Sequence, residues 1–182
     1  VITPQQEADM DIKATLNNLL IPYTSNYAGT LLPGIREYTV TPGEKTTTIS
    51  GKGKAGLKQE ENYYFFYLPV CYKGITGKSY AYYNTSRSKN LYLPASVDEN
   101  YSYDIQLPEN LTLCTPIQEK KIDNPIGSFK ITLTSEGSSL HIELALQIKK
   151  QLITPAEYPA FRSLITEWTD RTRKPILFKT VQ

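Results

Sequence analysis

The sequence predicts an all-β fold: an antiparallel β-sandwich of about seven to ten strands with one α-helix near its C-terminus. Three observations lead there. Short segments that alternate polar and apolar residues recur along the chain, separated by Pro, Gly, Asn, Ser and Asp clusters, as half-buried strands and their turns require. Tyrosine is abundant, with 14 residues of 182, and aromatic side chains suit a pleated surface with one wet face. Only one segment, beginning at Thr154, carries a complete set of helix signals.

In order along the chain, residues 9–17 alternate without a fault, with Met10, Ile12, Ala14 and Leu16 on one face, and read as a strand paired within this chain. Thr3 followed by Gln6 offers a competing helix cap. Residues 29–34 read as a loop, 35–41 as a strand closed by Pro42-Gly43, and 45–50 as a Thr-rich strand. Residues 63–70 are apolar or aromatic up to Pro69, which predicts a central strand buried on both faces. Residues 79–84, 90–93, 101–107 and 111–115 are further short strands, and Leu91 to Pro94 has the apolar, proline-stopped look of an edge strand. Phe129, Ile131 and Leu133 share one face. After a turn at Gly137, Leu140, Ile142, Leu144, Leu146 and Ile148 form another, so the two segments make a hairpin. Thr154, Pro155 and Glu157 compose a capping box, and Tyr158, Phe161, Leu164, Ile165 and Trp168 follow at helical spacing. Pro159 interrupts the start, which splits it into a short turn and the helix proper. Residues 176–179 read as the last strand.

The composition excludes several functions. Twenty basic against 18 acidic residues, a formal charge of +2, is too balanced for a dedicated nucleic-acid binder. One histidine and two cysteines do not supply the usual four-ligand zinc site, and no cofactor or metal is expected. No apolar run is long enough to span a membrane, and the N-terminus lacks the basic start and apolar block of a signal peptide, so any export signal would have been removed. Cys71 and Cys114 permit one disulfide; the reading favours two separate thiols.

The letter pattern from Gly51 to Gly56 matches a dinucleotide-binding loop, but no helix follows it, so it reads as a flexible loop. Gly77-Lys78-Ser79 lacks the upstream glycine of a phosphate-binding loop. A cysteine hydrolase needs an imidazole beside its thiol, and the only candidate, His141, falls with Glu143 and Gln147 on the polar face of a strand. The carboxylate pairs Glu60-Glu61 and Asp98-Glu99 read as solvated loop residues. Arg162, Arg171, Arg173 and Lys174 read as cations favouring the helix dipole near its C-terminal end. Tyr80, Tyr82, Tyr83 and Tyr92 are the candidate ligand platform, for a glycan or peptide, against the alternative that packing consumes them. No catalytic residue is expected.

From Arg87 onward the chain resembles the C-terminal β-sandwich domain of unknown function found in bacterial transglutaminase-like proteins, where it follows a papain-like core. The resemblance rests on Tyr103-Asp104-Ile105-Gln106-Leu107-Pro108-Glu109-Asn110, on Asn124-Pro125-Ile126-Gly127-Ser128, on the segment from Ile153 to Arg162, and on Pro175-Ile176-Leu177-Phe178-Lys179. It implies a single module over residues 1–182, in which 87–182 match the family and 1–86 add earlier strands. It also implies a non-catalytic accessory role beside the catalytic core of the same polypeptide, and export to the periplasm or cell surface.

Overall fold

The computed structural model describes residues 6–17, 35–70, 75, 86–116 and 118–181. Its first half contains β1 (Glu7–Asn17), β2 (Ile35–Pro42), β3 (Thr46–Gly56), β4 (Lys58–Glu60), β5 (Tyr63–Phe66) and β6 (Leu91–Tyr92). The second contains β7 (Val97–Gln106), β8 (Leu111–Leu113), β9 (Gln118–Asn124), β10 (Gly127–Glu136), β11 (Ser139–Ile148), β12 (Leu152–Ile153), helix α1 (Tyr158–Arg173) and β13 (Ile176–Thr180).

A seven-stranded antiparallel sheet in the order β2-β3-β1-β7-β11-β10-β9 forms one layer. The second comprises α1, a four-stranded sheet β4-β5-β13-β8 and the two-stranded pair β12-β6. This is the expected all-β sandwich with a C-terminal helix, but it has thirteen described strands where about seven to ten were expected. The excess lies in pieces of two to four residues, too short to show a period.

β1 is central, paired over its whole length with β3 and along most of it with β7, so the alternation of Met10, Ile12, Ala14 and Leu16 is spent on the core. Thr3 lies outside the described residues, and the segment that a cap there would have opened as a helix is this strand instead. The β10–β11 hairpin turns at Gly137-Ser138, where Gly137 takes φ 56°, a left-handed setting that glycine adopts without the steric cost of a Cβ. At the other end, a Cβ on Gly127 would lie 1.9 Å from the Gln147 carbonyl oxygen, so only glycine fits there.

Three expectations change. The Gly51 to Gly56 segment is not a loop but the second half of β3: Gly51 and Gly53 lie opposite Ile12 and Met10 on the core face, and Lys52 and Lys54 pair outward with Asp11 and Asp9 at 3.3 and 2.5 Å. Residues 63–70 do not form a strand buried on both sides. β5 stops at Phe66, buries Tyr64 and Phe66, and leaves Tyr63 and Tyr67 43% and 46% exposed. The charged strand β9 carries no period that sequence reading registered.

The helix has the split start expected from Pro159: a turn holds the capping box, and the helix proper starts at Tyr158. Thr154 and Glu157 bond reciprocally within a preceding turn: the Thr154 N–H and hydroxyl donate to Glu157 Oε2 at 3.1 and 3.0 Å, and the Glu157 N–H donates to Thr154 Oγ1 at 3.4 Å. Pro159 falls in the first helical turn, where its missing N–H costs no helical bond. Tyr158, Phe161, Leu164, Ile165 and Trp168 are all buried, and Trp168 reaches the Tyr101 ring at 6.0 Å between centroids.

Candidate functional site

Of the proposed tyrosine platform, Tyr80, Tyr82 and Tyr83 lie outside the described residues, as does Cys71. Tyr92 stands on the short β6 and is 72% exposed. Exposed aromatics also appear where sequence reading had placed a buried strand. Tyr63, Phe65 and Tyr67 follow one another at every second position on the outer face of the small sheet, Phe65 half-buried between its exposed neighbours, with Lys58 5.6 Å from the Tyr67 centroid. The uninterrupted aromatic run hid this face, because alternation cannot be read where every residue is apolar.

His141 lies on the outer face of the large sheet, as its parity predicts. Register aligns Lys52, Asp11, Asp104, His141 and Thr134 in one row across five strands. His141 Nδ1 is 2.7 Å from Asp104 Oδ1, and Nε2 is 3.9 Å from Glu143 Oε1. A Lys130 hydrogen bond is the main influence holding the Glu143 carboxyl below its ordinary range. In a nucleophilic triad one imidazole nitrogen faces a carboxylate and the other a hydroxyl or thiol. Here both face carboxylates. Cys114 is a free, half-buried thiol 4.0 Å from the Thr112 carbonyl oxygen, at the end of β8 in the opposite layer, so it forms no pair with His141.

The carboxylate pairs separate. Glu60 and Glu61 are exposed, but Glu99 is fully buried, which corrects the reading of Asp98-Glu99 as solvated. It belongs to β7, and with Val97, Tyr101 and Tyr103 it takes the inward parity of that strand. The Ile75 N–H donates to Glu99 Oε1 at 2.5 Å and the Tyr101 hydroxyl to Oε2 at 3.0 Å. Burial outweighs both bonds and raises its pKa to about 7. Burial, then the charge of Glu99, raises Tyr103 well above an ordinary phenol, and the Tyr103 hydroxyl donates to the Pro69 carbonyl at 3.1 Å. Glu99 and Tyr103 thus tie residues 69 and 75 to the centre of the large sheet.

Arg162 also departs from expectation. It lies in the second turn of α1, too far from the C-terminal end to act on that dipole; Lys174 fills that place and pairs with Asp170 at 2.8 Å. Among the described residues no group of His, Cys, Asp and Glu side chains is arranged to hold a metal ion, and no helix is long and apolar enough to cross a membrane.

No curated protein matches the chain. Its fold is similar to the crystal structure of "a putative protease from Parabacteroides distasonis", with 32% sequence identity and a TM-score of 0.60. The match covers 66% of this chain and 24% of that one, so the chain spans about a quarter of that protein's length. The family model of a domain of unknown function with a solved structure, DUF3858, matches residues 62–178, a span that includes β5, the strands β7, β9, β10 and β11 of the large sheet, and α1. With more than half of its length in that match, the chain belongs to the DUF3858 family of domains of unknown function.

Proposed function

We propose that this domain is a non-catalytic accessory module of a larger transglutaminase-like polypeptide, packing against a papain-like core or positioning substrate for it. The observation that carries the reading is one of proportion. The region shared with the similar protein is 24% of that protein, which leaves ample length for a catalytic core outside it. The engagement of both His141 nitrogens by carboxylates supports the non-catalytic part. The transglutaminase-like partner and export to the periplasm or cell surface rest on the resemblance of the segments quoted above. The test is to express the longest native polypeptide carrying this sequence, with and without the module, and compare melting temperature and amidase or cross-linking activity. A loss of either on deletion supports the role, and equality in both removes it.

A second reading, a glycan- or peptide-binding module using exposed tyrosines, is favoured by the Tyr63, Phe65 and Tyr67 row. Flat rings with edge hydroxyls suit ligands that are apolar on one face and polar at the rim. Glycan and peptide arrays probed with the chain and with its Tyr63→Ala/Tyr67→Ala variant test it. Signal lost in the variant at unchanged melting temperature supports the reading, whereas no signal, or signal equal in both, ends it.

A further inference from the structure

A groove of about 480 Å³ runs between α1 and β9 and differs in chemistry from both tyrosine faces and from the outer sheet row. Tyr158, Arg162 and Thr166 recur every four residues, so one stripe of α1 forms a wall; Ile122 of β9 and Arg87 complete it. The Arg87 guanidinium lies 5.9 Å from the Tyr158 ring centroid. Burial raises the Tyr158 hydroxyl above an ordinary phenol, and Arg87 and Arg162 oppose that rise; both arginines line the same groove. Arg162 is exposed and has no ion pair or hydrogen bond among the described residues. Glu167, the one acidic side chain among the described lining residues, is already matched by Lys120 at 2.5 Å. The groove is therefore cationic over a partly apolar floor.

We propose that this groove binds an acidic peptide segment, with a carboxylate between Arg87 and Arg162 and a neighbouring apolar side chain against Ile122 and Tyr158. A guanidinium presents a planar fork of donors that matches a carboxylate, and such a pair strengthens where apolar walls exclude part of the water. The floor selects against a purely ionic ligand, and a formal charge of only +2 gives the chain little overall pull on a polyanion. The site shares no residue with the tyrosine faces, and a peptide can bind there whether or not the module serves a catalytic core.

The test uses the full 182-residue chain and a fluorescently labelled, end-blocked hexapeptide of alternating Glu and Leu, with its Gln-Leu counterpart as control, read by fluorescence anisotropy. Saturable binding of the Glu peptide is expected, weakened by salt and about tenfold weaker for the Gln peptide. Arg162→Gln should weaken it by about tenfold at unchanged melting temperature, because that side chain is exposed. Thr166→Phe, which fills the groove from an exposed helix position, should also abolish binding. Equal affinity for the two peptides, indifference to Arg162→Gln, or no saturable binding at millimolar peptide overturns the proposal. Binding of an oligogalacturonate in place of the peptide overturns it as well, by showing a sugar acid to be the ligand.

Discussion

The two layers of this sandwich are held together by different means. In the large sheet the cohesion is distributed: β1 alone pairs with β3 through eleven registered positions and buries every second residue. The covering layer has strands of two to five residues and depends on a few large side chains, with Trp168, Phe161 and Phe178 all fully buried. The large sheet also buries the rings of Tyr103 and Phe129, but its strands hold one another by long ladders, which the short strands of the covering layer lack. Trp168→Ala or Phe161→Ala should cost about 3–5 kcal/mol, toward the upper end, and the matching ring deletion in the sheet, Phe129→Ala, toward the lower end of the same range, while Ile12→Val, which deletes one methylene, should cost about 0.5–1.5 kcal/mol. Chemical denaturation of the four variants checks the contrast, and equal losses from the ring deletions in the two layers would contradict it.

Glu99 is the polar exception at the centre of the large sheet, and it sharpens the comparison. Its folded pKa of about 7 stands above the 4.5 of an ordinary Glu, so between those values the folded state holds a proton that the unfolded state has released. The contribution of Glu99 to stability must then be greatest below pH ~4.5 and decline as pH rises to ~7, by on the order of 3 kcal/mol. Glu99→Gln keeps an acceptor for the Ile75 N–H and removes the titration. The variant should gain on the parent as pH rises from 5 to 8, by up to about that amount. A difference between the two proteins that is the same at both ends of the range would show that Glu99 does not carry this proton.

The two layers were also unequally legible. Wherever one face of a strand meets the core and the other meets water, the sequence announces it: β1, β7, β10 and β11 were all readable from parity. Parity extended two residues back from Tyr101 would have turned Glu99 inward as well, but a carboxylate beside Asp98 looked like surface. The cue was positional and the chemistry spoke against it. β3 was half missed because glycines facing Ile12 and Met10 leave no apolar letters to count. The short strands of the covering layer carry no countable period, and β5 misled because an all-aromatic run conceals which rings are wet. The α1–β9 groove was not legible, since it depends on α1 lying beside β9, which are separate in sequence.

The β10–β11 hairpin separates the effect of space from that of backbone conformation, because a glycine near each end is required for a different reason. Gly127→Ala drives a Cβ into the backbone of Gln147 and forces β10 and β11 apart, with an expected loss of about 1–3 kcal/mol. Gly137→Ala meets nothing within 4 Å and suffers only the cost of a left-handed φ, about 1–2 kcal/mol. Thermal melts should therefore rank Gly127→Ala at or below Gly137→Ala, and the reverse order would mean that the strands part without penalty.

The smallest expected effect lies where the covering layer begins. The turn before α1 is fixed by the reciprocal Thr154 and Glu157 bonds, with Lys150 on the Glu157 carboxylate. Lys150, then the Thr154 N–H and hydroxyl, hold the Glu157 pKa down at about 2. A folded value below the ordinary 4.5 means that this stabilisation is complete above pH ~4.5 and disappears as pH falls toward 2. Thr154→Ala removes one of the three bonds to the carboxylate and the longer of two acceptors for the Glu157 N–H, which the Thr154 carbonyl oxygen also accepts at 3.1 Å, and should lower the melting temperature slightly near neutral pH. With fewer donors on the carboxylate, the acid limb of the stability profile should also move to higher pH. Thr154→Ser restores the hydroxyl and should restore both. A Thr154→Ala profile that overlays the parent from pH 2 to 6 would leave α1 anchored by its buried rings alone, and would place all the cohesion of the covering layer in Trp168, Phe161 and their neighbours.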